Sequence, residues 1–248
     1  YALIGLSIMP QVYVIFTSFK NVEGLAFAPG YSFNNYFDAF TKVGSAIQNT
    51  ILIPAISLVI VVFLSVLLAY ISVRRSGVVT KILDSISMIP YIMPGSVIGI
   101  TLLIAFNKPP LILRGTLAIM VIGLVIRRMP YTIRSTAAIL QQIPMSIEEA
   151  ALSLGSSKAK AFYKVTIPMM APGIISGAIL SWITMISELS TAILLYTART
   201  RTLTVEIYTQ IIRGNYGIAA ALATILTVLT TLSLLLFNYL SKDQDIAM

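Results

Sequence analysis

The chain has 248 residues, 57% of them hydrophobic and only 10% charged, with a mean hydropathy of +0.91. A soluble domain carries about 25% charged residues, so this composition cannot build a water-facing surface of ordinary polarity, which excludes a soluble or disordered protein. Seventeen Lys and Arg against nine Asp and Glu give a net charge of +8. These charges fall between apolar runs, so they read as marks of membrane orientation and not as a nucleic-acid surface.

Absent residue types narrow the chemistry. There is no Cys and no His, which removes thiol catalysis, disulfides, His-ligated haem and ordinary zinc sites. Only Glu148 and Glu149 form an adjacent carboxylate pair, and neither H-E-x-x-H nor G-x-x-x-x-G-K-[ST] occurs. Metalloprotease chemistry and ATP binding by a phosphate loop therefore have no sequence basis, and no catalytic, cofactor or metal residue is expected. The start at Tyr1 instead of Met is expected of a chain cut from a longer one, and no cleavable signal with a basic start is visible.

Six stretches reach the roughly 20 apolar residues that cross a ~30 Å hydrocarbon core. They are Tyr1 to Phe19, Asn49 to Val73, Ile82 to Phe106, Gly115 to Ile133, Met169 to Tyr196 and Gly217 to Leu240. Their length favours helices over barrel strands, so the chain reads as one all-α membrane domain (1–248) with six transmembrane helices. Pro90 and Pro94 predict a kink in the third, and Asp84 falls in its first turn, where a carboxylate suits a helix N-terminus. With the N-terminus inside, Arg74, Arg75, Lys81, Arg127, Arg128, Arg134, Lys158, Lys160, Lys164 and Lys242 lie at the cytoplasmic side. Lys20, Lys42, Lys108, Arg114, Arg199, Arg201 and Arg213 lie outside. The positive-inside rule then places both termini in the cytoplasm of a multi-pass protein.

Small residues recur at helix-contact spacing: Gly95 and Gly99, Gly173 and Gly177, and Ala219, Ala223, Thr227 and Thr231. Such faces pack helices within one bundle or against a second subunit. Glu188 is the carboxylate well inside an apolar run; it either lines a substrate path or sits at the outer headgroups, bonded to Ser187 and Ser190. Met88, Tyr91, Met93 and Met185 are either packing filler or path lining. The outer stretches Lys20 to Gln48 and Thr197 to Tyr216 are open to an external protein, and the second has the alternation of an interfacial helix.

Between the fourth and fifth spans runs a long cytoplasmic loop, 134–168, reading QQIPMSIEEAALSLGSSKAKAFYKVTIPMMAP from Gln141. Ser146 and Glu149 have the spacing of a capping box, and Gly155 suits the left-handed position that ends a helix. A short helix from Ile147 to Leu154 is expected, then a second after Ser156 and Ser157. Glu149-Ala150-Ala151, Gly155 and Val165-Thr166-Ile167-Pro168 resemble the EAA loop of binding-protein-dependent ABC importer permeases, whose pattern is E-A-A, three residues, G, nine residues, I-x-L-P. Val165 and Ile167 depart from it by apolar swaps. The runs AYISVRR from Ala69, FNKPPLILRGT from Phe106 and SELSTAILLY from Ser187 look most like permeases of ferric-iron importers, with those for polyamine, thiamine and 2-aminoethylphosphonate close to the pattern.

The resemblance implies a MetI-like permease fold in a bacterial inner membrane, with the loop helix coupling the path to an ATPase subunit. ATP and Mg²⁺ then belong to that partner, and no cofactor belongs to this chain. Ser146, Glu149, Ala150, Ala151, Gly155 and Pro168 are the coupling residues it implies, and a Tyr1 start fits the C-terminal half of a fused chain. It also implies a second permease bundle (identical, homologous or fused) and an extracytoplasmic substrate-binding protein as partners, ferric iron as substrate, and no nucleic acid. Against it stand an ATP-independent secondary transporter or channel, which wants more intramembrane polar residues, and an intramembrane hydrolase, for which no constellation is visible.

Overall fold

A computed structural model of the chain describes residues 2–75 and 77–242. The first helix, α1 (Ala2–Ser18), runs through Pro10; Tyr1, the expected start of the first span, lies outside the described residues. An antiparallel hairpin follows, β1 (Lys20–Glu23) with β2 (Ala26–Tyr31), pairing Val22 with Phe27. Gly24 takes φ +63° at its turn, a backbone position that costs glycine little. These strands are too short to show a period of two in the sequence, so the hairpin is absent from the expected elements. Asn35 ties it down, its side-chain nitrogen donating to the Ser18 and Lys20 carbonyls at 2.9 Å each.

The longest element is α2 (Asn34–Arg74), interrupted at Val43, whose φ −138° and ψ 15° are not helical. The part from Val43 to Arg74 has 32 residues, about 48 Å at 1.5 Å per residue, so it outreaches a ~30 Å hydrocarbon core. Next come α3 (Val78–Ile92) and α4 (Gly95–Ala105), bent by 110° with respect to each other. The expected third span is thus broken, not kinked. Met93 between them is extended (φ −74°, ψ 134°), because the ring of Pro94 disfavours a helical residue before it. Asp84 lies in the second turn of α3, which begins at Val78, and its carboxylate accepts from Arg134 at 3.2 Å.

The remaining elements are α5 (Leu117–Gln142), α6 (Met145–Ser153), α7 (Lys158–Ala161), a π-helical turn (Phe162–Thr166), α8 (Ile167–Ile186), α9 (Ala192–Leu195), α10 (Leu203–Ile212) and α11 (Tyr216–Lys242). The π turn has a local cause. Pro168 lacks an N–H and its ring crowds the carbonyl four residues back; the wider turn, in which the Ile167 N–H bonds to Phe162, relieves that crowding. Among the described residues three helices are long and apolar enough to cross a membrane, at Val43–Arg74, Lys158–Ile186 and Tyr216–Tyr239. Counting the bent pair α3–α4 as one span makes four. The fifth expected span, Met169 to Tyr196, ends early: α8 stops at Ile186, and a break separates it from α9.

The chain forms two compact units, one from Tyr1–Ile53, Gly99–Met120 and Ile186–Leu236, the other from Pro54–Ile98, Val121–Met185 and Phe237 onward. In the first, Ala39, Val43 and Ala46 of α2 pack with Leu203 of α10 and Ile218, Ala221 and Leu222 of α11. The stretch Thr197 to Tyr216 holds α10, which buries Leu203, Thr204, Val205, Glu206 and Gln210 and leaves Tyr208, Ile211 and Ile212 exposed. Glu206 is held by Arg201 at 2.7 Å and Gln210 at 2.6 Å. Thr50 of α2 accepts the Leu203 N–H at 2.7 Å, supplying the cap that no side chain of α10 provides.

In the second unit, α2, α5 and α8 meet through hydroxyls and small residues. Ser65 donates to the Met129 carbonyl at 3.3 Å, Thr132 and Ser181 share a hydrogen bond of 2.9 Å, and Ser181 donates to the Arg128 carbonyl at 3.1 Å. A Cβ added at Gly173 would lie 2.7 Å from the Ser135 carbonyl oxygen, and one at Gly177 would lie 2.6 Å from the Thr132 Cα. These two glycines therefore let α8 approach α5 within one bundle, as small-residue faces do in lipid. Further along, the α11 stripe turns outward, with Ala219 buried but Thr227 and Thr231 exposed.

Gly177→Leu is expected to lower thermal stability by about 3 kcal/mol or to prevent accumulation, since the clash is with backbone. Gly5→Ala, where an added Cβ meets no atom within 4 Å, should leave the unfolding temperature of the detergent-purified chain unchanged or slightly raised.

Candidate functional site

The loop between α5 and α8 folds into a short helix with well-defined ends. Pro144 (φ −62°, ψ 142°) occupies the N-cap of α6 without any side-chain cap hydrogen bond. The expected capping box is therefore not formed. With the helix starting at Met145, Ser146 falls inside its first turn, and a residue there cannot act as N-cap. Glu149 is exposed, and among the described residues its carboxylate has no hydrogen-bond or ion-pair partner.

The C-terminal end forms as its sequence suggests. Gly155 has φ +85°, its N–H bonds to the Leu152 carbonyl at 2.9 Å, and the Ser156 N–H bonds to Ala151 at 3.0 Å. This pair of bonds is a Schellman motif, which needs a left-handed residue at the glycine. Ser157 then caps α7, accepting from the Lys160 N–H at 3.3 Å. Ala150 and Gly155 are exposed with Glu149, and Ala151 is half-buried. An acidic side chain beside a flat, small-residue surface therefore faces outward, and Pro168 lies beyond the π turn that ends the loop.

The residue that sequence reasoning missed is Glu148. It is buried, and its carboxylate receives Arg74 Nε at 2.8 Å and the Tyr70 hydroxyl at 2.9 Å. Arg74 also donates through Nη2 to the Ile143 carbonyl at 3.0 Å, so one guanidinium grips the chain on both sides of Pro144. Tyr70 packs edge-on against Phe162 of the π turn, with ring centroids 4.7 Å apart. Around this cluster Val66, Leu140, Ile143 and Met170 form a buried core, with Ile147 of α6 packed against it. Both charged side chains are about nine-tenths buried, at 9% and 10% exposure. The only sequence signal was α6 itself, whose inward face falls on Ile147, Glu148 and Ala151 at helical spacing.

The other singled-out residues fall into two surroundings. Glu188, 5% exposed, lies in the break after α8. Its Oε1 accepts from the Ser190 hydroxyl at 2.7 Å and the Thr191 N–H at 3.0 Å, and Thr204 donates to its carbonyl at 2.8 Å. Met88 and Tyr91 line a cavity of about 540 Å³ with Tyr131, Arg134 and Leu180, whereas Met185 is buried in the core. Among the described residues no group of three or more carboxylates converges.

Residues 61–245 match the family described as the binding-protein-dependent transport system inner membrane component, and the chain belongs to that family. It is thus a component of a transport system. Among relatives, the chain is 32% identical over 198 residues to the ferric transport system permease protein FbpB of Actinobacillus pleuropneumoniae, covering 80% of this chain and 29% of that one. It is 30% identical over 175 residues to the putative 2-aminoethylphosphonate transport system permease protein PhnV of Salmonella typhimurium, covering 70% and 66%. The chain therefore spans less than a third of the length of the ferric relative. Its fold is similar to that of a bacterial ABC transporter that imports alginate (TM-score 0.77, 17% identity, 98% and 94% covered). It is also similar to the inward-facing MetNI methionine ABC transporter (TM-score 0.67, 17% identity, 86% and 99% covered).

Removing the Glu148 carboxylate leaves Arg74 charged and unpaired in a buried setting, so Glu148→Ala is expected to cost about 3 kcal/mol. The Glu148→Leu, Arg74→Met pair should recover most of that loss, and Glu149→Ala should stay within about 0.5 kcal/mol. Thermal unfolding of the single and double variants checks all three.

Proposed function

We propose that the chain is the permease subunit of a binding-protein-dependent ABC importer, forming half of a substrate path and coupling it to ATP hydrolysis by a partner. The observation that carries this reading is α6, a capped helix that presents Glu149, Ala150 and Gly155 outward while Glu148 anchors it to Arg74 inside. A rigid knob with a free carboxylate suits a groove on a motor subunit, where ATP and Mg²⁺ would be held. In this reading α1, α2, the broken pair α3–α4, α5, α8 and α11 make six spans, with both termini in the cytoplasm of a bacterial inner membrane. Ser146 in the first turn of α6 and Pro168 in the first turn of α8 lie on either side of the docking surface.

A second bundle, identical, homologous or fused, completes the path, and an extracytoplasmic binding protein delivers the cargo. The solved relatives support these partners: one alginate transporter is described in complex with a substrate-bound periplasmic protein. Ferric iron is the proposed cargo, supported by the identity to FbpB over most of this chain. The similarity to PhnV supports 2-aminoethylphosphonate as the second reading. Glu188 borders the path from the break that it caps.

Glu149→Arg places a cation where the proposed motor groove expects a carboxylate, so the ATPase subunit should no longer co-purify and uptake of labelled ferric iron should fall to background. Full co-purification and full uptake by this variant would sink the coupling assignment. Uptake of labelled 2-aminoethylphosphonate but not iron, with coupling intact, would move the cargo to the second reading.

A further inference from the structure

Where α2 ends and α3 begins, the second unit holds a polar cavity of about 530 Å³ that the transport reading does not use. Arg75, Lys81 and Arg134 line it, together with Thr80, Ser85 and the single carboxylate of Asp84. Asp84 is already paired with Arg134 at 3.2 Å. The cationic groups of Arg75 and Lys81 have no hydrogen-bond or ion-pair partner among the described residues. The cavity therefore carries two uncompensated positive charges beside hydroxyl donors, a donor set that suits phosphate oxygens.

The wall of the cavity shows which phosphate. No described residue of α3 is buried, and the helix is two-faced. Lys81, Asp84 and Ser85 line the cavity, whereas Val79, Ile82, Leu83 and Ile86 are exposed on its other side. The cavity also sits at the Arg74 end of the apolar segment Val43–Arg74, the depth at which headgroups meet water. One molecule satisfies both faces: a phosphodiester in the cavity with acyl chains along these exposed apolar side chains.

We propose that this cavity binds the headgroup of an anionic phospholipid. Basic pockets beside transmembrane helices hold such headgroups by the same electrostatics, at about 1 kcal/mol per Lys or Arg near the surface. The inference needs neither the cargo nor the motor subunit of the proposed function, only that α2 crosses the bilayer.

The test is native mass spectrometry of the protein purified in detergent with whatever subunits accompany it, after incubation with cardiolipin, phosphatidylglycerol or phosphatidylcholine. The natural sequence is expected to retain the two anionic lipids and not phosphatidylcholine, with retention falling as salt rises. The Arg75→Gln, Lys81→Gln pair should lower anionic-lipid retention by at least about tenfold, since two lost contacts of about 1 kcal/mol each amount to more than that. Lys81→Arg alone, which keeps the charge, should keep most of the retention, and Lys108→Gln, in another loop, should not change it. Equal retention by the double variant would overturn the proposal, provided its unfolding temperature matches the natural chain. Displacement of the lipid by millimolar inorganic phosphate would also overturn it, because the site would then be one for the free anion.

Discussion

A guanidinium at the end of one long helix and a carboxylate in a short loop helix meet at 2.8 Å in a place water scarcely reaches. Burying both charges is costly, and the cost is offset only because each finds further partners. Glu148 has the Tyr70 hydroxyl, and Arg74 has the Ile143 carbonyl. The consequence is mechanical. Pro144 breaks the chain between α5 and α6, and such a break is ordinarily a hinge. Here Arg74 holds the residues on both sides of it, and Phe162 braces Tyr70 from the π turn. The loop helix therefore cannot swing without separating a buried ion pair, so a push on its outer face reaches α2.

The same economy governs the spans. Lipid supplies no hydrophobic drive between helices, so contact depends on close approach and on hydrogen bonds. Gly173 and Gly177 provide the approach, and Ser65, Thr132 and Ser181 provide the bonds. In the other unit, buried polar groups secure the segments where helices stop. Glu188 closes the break after α8, and Thr50 and Asn49 fasten the approach to α10, the latter through the Arg199 and Arg201 carbonyls at 2.9 Å each. Broken helices inside a membrane protein leave backbone groups to satisfy, and these side chains satisfy them.

What the sequence disclosed follows from the range of the forces involved. The Gly155 end of α6 was legible because a Schellman motif is decided by neighbours within five residues. The EAA spacing was legible for the same reason, and it led to the family to which residues 61–245 belong. The Ser146 cap was misread because Pro144 competes for the same position, and a rigid ring with φ already near −65° wins it. Glu148 stayed hidden because its partner Arg74 lies 74 positions away, and adjacent glutamates look alike until the inward face of their helix is known. The 110° bend at Met93–Pro94 and the end of α8 at Ile186 escaped hydropathy, which measures apolar content and is blind to direction. The β1–β2 hairpin escaped because its pairing is held from outside by Asn35.

The pinning of the loop helix is tested most directly by Glu148→Gln in reconstituted proteoliposomes, with ATP hydrolysis and cargo uptake measured on the same preparation. The substitution keeps the shape of α6 and its outward Glu149 but removes the charge that Arg74 grips. The account predicts that the ATPase subunits still bind and hydrolyse ATP while uptake falls by about tenfold or more, the scale of losing ~1.4 kcal/mol or more of coupling. Hydrolysis and uptake both unchanged would show that motion reaches the spans by another route, and the Arg74–Glu148 pair would then be only a structural tie.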